Sequence, residues 1–159
     1  IGLGAIGRCV VKRALGFGMK ILAHDVVWDD AWAAKEGVER ADVDRICREA
    51  DFITLHTVLT DETRNLINAE RLAAMKKTAV LINTARGGLI DETALLAALQ
   101  QGSIYGAGLD VFEQEPPANP AWYELDNLVM GSHCSSSTAG ATETMGTMAV
   151  DNLLRDLGI

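Results

Sequence analysis

Short apolar runs alternate along this chain with segments in which apolar residues recur every three or four positions. The short runs predict strands, and residues 79–83 are almost wholly apolar, as strands buried in parallel sheets are. The periodic segments predict helices. Their alternation predicts an α/β fold, a doubly wound parallel sheet in three layers, α/β/α. The predicted strands are 20–24, 52–55, 79–83, 106–111 and 128–130, and the predicted helices are 8–15, 41–50, 68–76, 92–101 and 139–157.

A glycine-rich segment, Gly2-Leu3-Gly4-Ala5-Ile6-Gly7, precedes the first predicted helix. In this G-x-G-x-x-G pattern the first glycine allows a sharp turn, the second allows a pyrophosphate to approach, and the third allows tight helix packing. The pattern is typical of a Rossmann-type dinucleotide-binding domain, although a plain β–α turn can have the same glycines. Because a strand normally precedes such a loop, we expect the first strand to be truncated, with only Ile1 representing it.

Asp25 ends the next predicted strand, roughly 20 residues beyond Gly7, where dinucleotide-binding domains place the carboxylate that binds the adenosine ribose. A carboxylate there repels a 2′-phosphate, and the next basic residue is Lys35. The sequence therefore favours NAD over NADP. The alternative is that Asp25 is a solvated turn residue.

Composition excludes several classes of function. The net charge of −8 and pI of about 4.8 argue against binding to nucleic acid or to an anionic membrane surface. No apolar run approaches the ~20 residues of a membrane span. The three cysteines, Cys9, Cys47 and Cys134, lack C-x-x-C spacing, which favours reduced thiols in a cytoplasmic protein. With three unclustered histidines, no metal site is expected.

Polar residues follow the apolar strands at regular places. Asp25, His56, Arg86, Asp110 and His133 each lie at or just after the end of a predicted strand. The carboxyl ends of parallel strands share one edge of the sheet, where ligands of doubly wound folds bind. We therefore expect all five side chains along one rim.

Three residues at or near this rim suit hydride transfer between a nicotinamide and a 2-hydroxy acid. Arg86 offers a permanent cation for a carboxylate and a polarised carbonyl, His133 a general acid–base, and Glu115 a carboxylate to orient the imidazole. Arg86 and His133 also have simpler explanations, a surface salt bridge for Arg86 and a polar core or rim residue for His133. A Cys134–His133 nucleophile pair is disfavoured, because adjacent residues in such a loop seldom face each other.

The chain resembles the NAD-binding domain of the D-isomer-specific 2-hydroxyacid dehydrogenases over nearly its whole length. The segments that carry the resemblance are Gly2–Gly7, Leu55-His56-Thr57, Leu59-Thr60, Glu62-Thr63-Arg64, Ile82–Asp91, Gly106–Pro116 and His133 with Ser136 and Thr138. Within the family, glyoxylate/hydroxypyruvate reductases and phosphoglycerate dehydrogenases are the most similar. The resemblance implies Arg86, Glu115 and His133 as catalytic residues and a homodimer formed through this domain. It also implies NAD contacts at Gly2, Gly4, Ala5, Ile6, Gly7, Asp25, Thr57, Thr84, Ala85, Arg86, Asp110, His133, Cys134, Ser135 and Ser136.

The sequence departs from the family pattern at three positions. Val58 and Ser132 stand where proline is frequent, and Cys134 stands where an apolar residue is frequent, so the pocket beside the nicotinamide is expected to differ in shape.

Residues 1–159 are expected to form one NAD-binding domain, with a second, flavodoxin-like substrate domain outside this chain. On that expectation the chain alone binds NAD weakly and turns over poorly or not at all. Two alternatives to an oxidoreductase stay open: an NAD(H)-sensing binding module of the co-repressor type, and a truncated, inactive remnant.

Overall fold

The computed structural model describes residues 1–158 as parallel strands flanked by helices. The strands are β1 (Ile21–Ala23), β2 (Val38–Arg40), β3 (Phe52–Leu55), β4 (Val80–Asn83), β5 (Gly106–Leu109) and β6 (Leu128–Met130). The helices are α1 (Ala5–Gly16), α2 (Asp30–Glu36), α3 (Val43–Glu49), α4 (Ala69–Ala74), α5 (Glu92–Gln100) and α6 (Ala139–Leu157), with short 3₁₀ turns at Gly87–Leu89 and Pro120–Glu124.

The parallel strands form two hydrogen-bonded groups, one of four strands and one of two. Strands β3, β4, β5 and β6 pair side by side in that order, and β1 pairs with β2. Ile1 and Gly2 lie between the groups, because Gly2 N–H donates to the carbonyl of His24 at 2.8 Å and His56 N–H donates to the carbonyl of Ile1 at 2.7 Å. The strand order therefore reverses at Ile1, which makes this point the topological switch where doubly wound folds bind ligands.

The apolar core is divided in the same way. The larger part packs around β3 and β4, where Leu55 and Leu81 are fully buried together with Leu95 of α5. The smaller part joins Val11 of α1 to Ala23 and Val38. Burial on this scale is the main source of stability in a domain of this size, so the sheet forms a firm base for the loops at its carboxyl edge.

The structure corrects several predicted boundaries. Helix α1 begins at Ala5 rather than residue 8, because Gly4 already serves as its N-cap. Helix α2 and strand β2 were not predicted from the pattern, since seven and three residues are too short to establish a period. The local signals were present, however: Asp29 accepts the Trp32 N–H at the start of α2, and Gly37 ends it at φ 70°.

Helix α6 has the predicted bounds, but its apolar side chains are unexpectedly exposed. Its apolar stripe, including Met145, Met148 and Leu153, is more than half exposed, and α6 contains no buried residue. Among residues 1–158, no helix combines the length and hydropathy required to cross a membrane.

Candidate active site

The glycine loop leaves the N-terminus of α1 open to a ligand. The other five α-helices in the described part of the chain begin at a residue whose side chain accepts a backbone N–H, whereas α1 begins at Gly4 without one. A Cβ on Gly4 would meet nothing within 4 Å, while a Cβ on Gly7 would lie 2.0 Å from the Gly2 carbonyl oxygen. Gly7 is therefore required for the close packing of helix on loop. The uncapped N–H groups and the open space fit a pyrophosphate.

Asp25 ties this loop to the end of β1. Its carboxylate accepts the Leu3 N–H at 2.5 Å and the Val27 N–H at 2.9 Å. Partial burial acts to raise the pKa of Asp25, but these backbone hydrogen bonds outweigh it and hold the pKa below its ordinary value. The group is therefore a carboxylate at neutral pH, at the position where the sequence predicts a ribose acceptor.

Arg8 also fixes the loop, and the sequence reasoning missed it. Its Nε donates to the Leu3 carbonyl at 3.0 Å, and its Nη2 lies 2.9 Å from Asp29 Oδ2. The guanidinium carbon lies 4.6 Å from the centre of the Trp32 ring, in cation–π contact. Arg8 thus links the glycine loop to α2. The only hint in the sequence is its place directly after Gly7.

The loop after β4 presents Arg86 at the same rim. Asn83 is 1% exposed, and its side chain closes the loop by accepting the Ala85 N–H at 3.0 Å and donating to the Arg86 carbonyl at 2.9 Å. Arg86 is exposed, as is Thr84, and the Arg86 Nη1 donates to the Ala85 carbonyl at 2.6 Å. A Cβ on Gly87 would lie 2.0 Å from the backbone of Phe112, so the Arg86 loop packs directly against the loop that carries Glu115.

His133 and Glu115 form the central contact of the site. The Nδ1 of His133 lies 2.7 Å from Glu115 Oε2, and Glu115 Oε1 accepts the Phe112 N–H at 3.1 Å. The hydrogen bond to His133, assisted by that of Phe112 and by the positive charges of His133 and Arg86, holds the pKa of Glu115 below its usual range. The structure therefore brings all three predicted catalytic side chains to one region of the rim.

Asp110 sets the backbone of His133. Its Oδ1 accepts the His133 N–H at 3.0 Å, and His133 has a φ of 51°, in the left-handed region that few side chains occupy. One carboxylate oxygen of Asp110 is therefore used to hold the histidine. The loop after β6 is thereby fixed to the end of β5.

The remaining candidate residues lie around these. His56 Nε2 is 3.0 Å from Thr54 Oγ1, and burial lowers the pKa of His56, which suits a neutral structural histidine beside the glycine loop. Thr57 follows it and is half-buried. Cys134, Ser135 and Ser136 are all exposed, and the Ser132 hydroxyl donates to Cys134 Sγ at 3.1 Å. Among residues 1–158, no group of three His, Cys, Asp or Glu side chains is arranged to hold a metal ion.

An uncapped helix N-terminus at a topological switch, beside the carboxylate of Asp25, is typical of a dinucleotide-binding domain. The family described as D-isomer specific 2-hydroxyacid dehydrogenase, NAD binding domain, matches residues 1–135. The chain belongs to this family. The predicted Rossmann-type α/β fold, the family resemblance and NAD as the cofactor are confirmed.

Curated relatives support this assignment. The chain is 47% identical over 158 residues to D-3-phosphoglycerate dehydrogenase of Methanocaldococcus jannaschii and 46% identical over 162 residues to hydroxypyruvate reductase of Thermotoga maritima. The two alignments cover 99% and 100% of this chain but only 30% and 52% of the relatives. The chain thus spans about half or less of the length of these relatives.

A solved structure agrees. The NAD-complexed form of a D-isomer specific 2-hydroxyacid dehydrogenase from Lactobacillus delbrueckii ssp. bulgaricus superimposes with a TM-score of 0.88 at 33% identity. That match covers 99% of this chain and 52% of the other.

Proposed function

We propose that this chain is the cofactor-binding domain of an enzyme that transfers hydride between NAD(H) and a D-2-hydroxy acid or its 2-keto acid. The observation that carries the proposal is the 2.7 Å contact between His133 Nδ1 and Glu115 Oε2, with the charge of Arg86 acting on the same glutamate. NADH supplies the hydride when a keto acid is reduced, and NAD⁺ accepts it in the reverse direction.

The protein's own side chains handle charge and protons. Glu115 accepts a hydrogen bond from Nδ1–H of His133, which leaves Nε2 of the imidazole to give or take the proton of the substrate oxygen. A carboxylate in this place also stabilises the imidazolium whenever His133 is protonated. Arg86 stays charged at every relevant pH and offers planar donors to the substrate carboxylate or carbonyl.

The cofactor is proposed to lie with its pyrophosphate at the α1 N-terminus and its ribose at Asp25. The open space above Gly4 and the exposure of Ala5 and Ile6 support this orientation. The nicotinamide end then lies towards His133. Further contacts are proposed for residues that surround this path, namely Gly2, Gly7, Thr57, Thr84, Ala85, Arg86, Asp110, Cys134, Ser135 and Ser136.

The proposed substrates are small 2-keto acids. Relatives named hydroxypyruvate reductase and glyoxylate reductase support this class. Because the chain spans about half of the hydroxypyruvate reductase, we propose that a second domain completes the substrate site.

The decisive assay follows NADH oxidation with glyoxylate and hydroxypyruvate, using the polypeptide that carries this domain. His133→Asn should lower kcat by about 10²–10⁴-fold, because it removes the general acid–base. His24→Asn, a change in a histidine outside the proposed machinery, is the control and should keep the wild-type rate. Wild-type turnover that survives His133→Asn would refute the proposal.

Two further features belong to this proposal. A homodimer is supported by the family and by the exposed apolar stripe of α6; sedimentation as a strict monomer across a wide concentration range would refute it. A cytoplasmic location is supported by three unpaired cysteines, Cys9, Cys47 and Cys134. The relatives described above give no support to the co-repressor alternative or to an inactive remnant.

A further inference from the structure

Arg64 lies in a segment that runs beside the Arg86 loop. Asn65 N–H donates to the Gly88 carbonyl and Ile67 N–H to the Leu89 carbonyl, each at 2.9 Å, and the Asp91 N–H returns a hydrogen bond to the Ile67 carbonyl. These three bonds hold the segment in register against the loop. Arg64 is therefore carried to the rim by backbone hydrogen bonds, independently of its own side chain.

The guanidinium of Arg64 lies where two loops of the site meet. Its Nη1 is 3.1 Å from Glu113 Oε1, and a Cβ on Gly88 would come within 3.0 Å of the same nitrogen. Arg64 therefore packs on the loop of Arg86 while it pairs with the loop of Glu115. With Leu59, Arg86, Gly87 and Phe112, these residues line a small pocket of about 220 Å³.

Glu113 connects the Arg64 contact to Glu115, which lies two residues further along the same loop. Its backbone N–H donates to Glu92 Oε1 at 2.6 Å, so the loop is held on one side by α5 and on the other by Arg64. Two carboxylates, Glu92 and Glu113, are thereby brought close together. Arg64 supplies the positive charge that pairs with the Glu113 carboxylate in this arrangement.

We propose that Arg64 is a positioning residue, which holds the Glu113–Glu115 loop so that Glu115 meets His133. The inference rests on the proposed function, since it gives Arg64 a role only if Glu115 and His133 act together. Arg64 and Glu113 are about half exposed. Exposed ion pairs add little to global stability, so the effect of Arg64 falls on the geometry of the loop rather than on folding.

The test uses the 159-residue chain without substrate. Carboxyl-detected NMR follows the titration of Glu115 in wild type, Arg64→Gln, Arg64→Lys and the control Arg45→Gln. The control breaks two ion pairs far from Glu115 in the sequence, from Arg45 to Glu39 of β2 and to Glu49 of α3. In Arg64→Gln the pKa of Glu115 should rise towards that of an ordinary glutamate, because its contact with His133 loosens. Arg64→Lys should recover part of this change, and Arg45→Gln should leave the pKa of Glu115 unchanged.

Two control measurements distinguish an effect on the position of Glu115 from an effect on folding or on cofactor binding. The melting temperature of Arg64→Gln should fall no further than that of Arg45→Gln, and its NADH affinity should stay within about twofold of wild type. If Arg64→Gln fails to fold, Glu113→Gln tests the same link and should raise the pKa of Glu115 likewise.

An unchanged pKa of Glu115 in the folded variants, or an equal change in Arg45→Gln, would overturn the inference. Those results would leave the proposed function standing. Failure of the wild-type chain to bind NADH would instead count against the proposed function.

Discussion

The side-chain amide of Asn83 donates to the carbonyl oxygen of Arg86 at 2.9 Å, from a position that is 1% exposed. The same side chain accepts the Ala85 N–H at 3.0 Å. A single buried residue thus satisfies two backbone groups and shapes the loop that presents the proposed substrate-binding cation.

Asn83→Ala should destabilise the fold by about 1–3 kcal/mol, because it removes two part-buried hydrogen bonds, one from the Ala85 N–H and one to the Arg86 carbonyl. Urea unfolding followed by circular dichroism measures the change. Asn119→Ala is the matched control, since Asn119 closes a turn by the same bond to the N–H two residues on but is exposed. The control should cost less than about 1 kcal/mol, and equal costs would contradict the role given to Asn83.

Asp25→Ala should weaken NADH binding on the order of tenfold, because it removes both the proposed ribose acceptor and the tie between the glycine loop and β1. The preference for NADH over NADPH should fall as well, since the repelling carboxylate is gone. Calorimetric titration with each cofactor measures both effects. Asp30→Asn, on the exposed side of α2, serves as the control; an Asp25→Ala chain with wild-type affinity would refute this account of the ribose site.

The stability of the folded chain should depend on pH through Glu92. Burial, joined by the charge of Glu113, raises the pKa of Glu92 above its model-peptide value of 4.5. The folded state therefore binds the Glu92 proton more tightly than the unfolded state does, so stability from this group is present below pH 4.5 and falls as the pH rises through the folded pKa.

Glu92→Gln keeps an oxygen for the Glu113 N–H and removes the charge, so it should be more stable than wild type at pH 7. The difference should vanish near pH 4. Thermal unfolding across this range measures it, and a variant that is less stable at pH 7 would contradict the assignment.

Cys47 should resist alkylation in the folded chain. Its side chain is fully buried, and burial raises the pKa of its thiol to about 11, so little thiolate is available to react. Cys9 and Cys134 are exposed and should take up iodoacetamide quickly at pH 8. Mass spectrometry should find two labels in the native chain and three after unfolding in urea; early labelling of Cys47 would show that this part of the core opens readily.

The sequence was sufficient to predict those features for which local patterns and general fold rules agree. Strands β3 and β6 and helix α6 have the predicted bounds, since apolar runs and helical periods are local signals. The rule that ligands bind at the carboxyl ends of parallel strands led to the rim residues. The catalytic roles of Arg86, Glu115 and His133 remain a proposal.

Other features depend on contacts that no local pattern encodes. Arg64 and Glu113 are 49 residues apart in sequence, and their pairing follows only from the packing of two loops. Asn83 ends an apolar strand and gave no sign that its side chain would fold back into the next turn. The exposure of the α6 stripe could not be predicted from the sequence either, because an amphipathic pattern shows which face of a helix is apolar but not what covers that face.

The proposed function requires one dinucleotide to extend from the α1 N-terminus to His133. Titration of the ¹⁵N-labelled chain with NADH, followed by amide NMR, tests it directly. The amides of Ala5, Ile6, Gly7 and His133 should shift together along a single binding curve, and Asp25→Ala should move that curve to higher NADH concentration. Saturation of the chain without shifts at the α1 N-terminus and at His133 would contradict it.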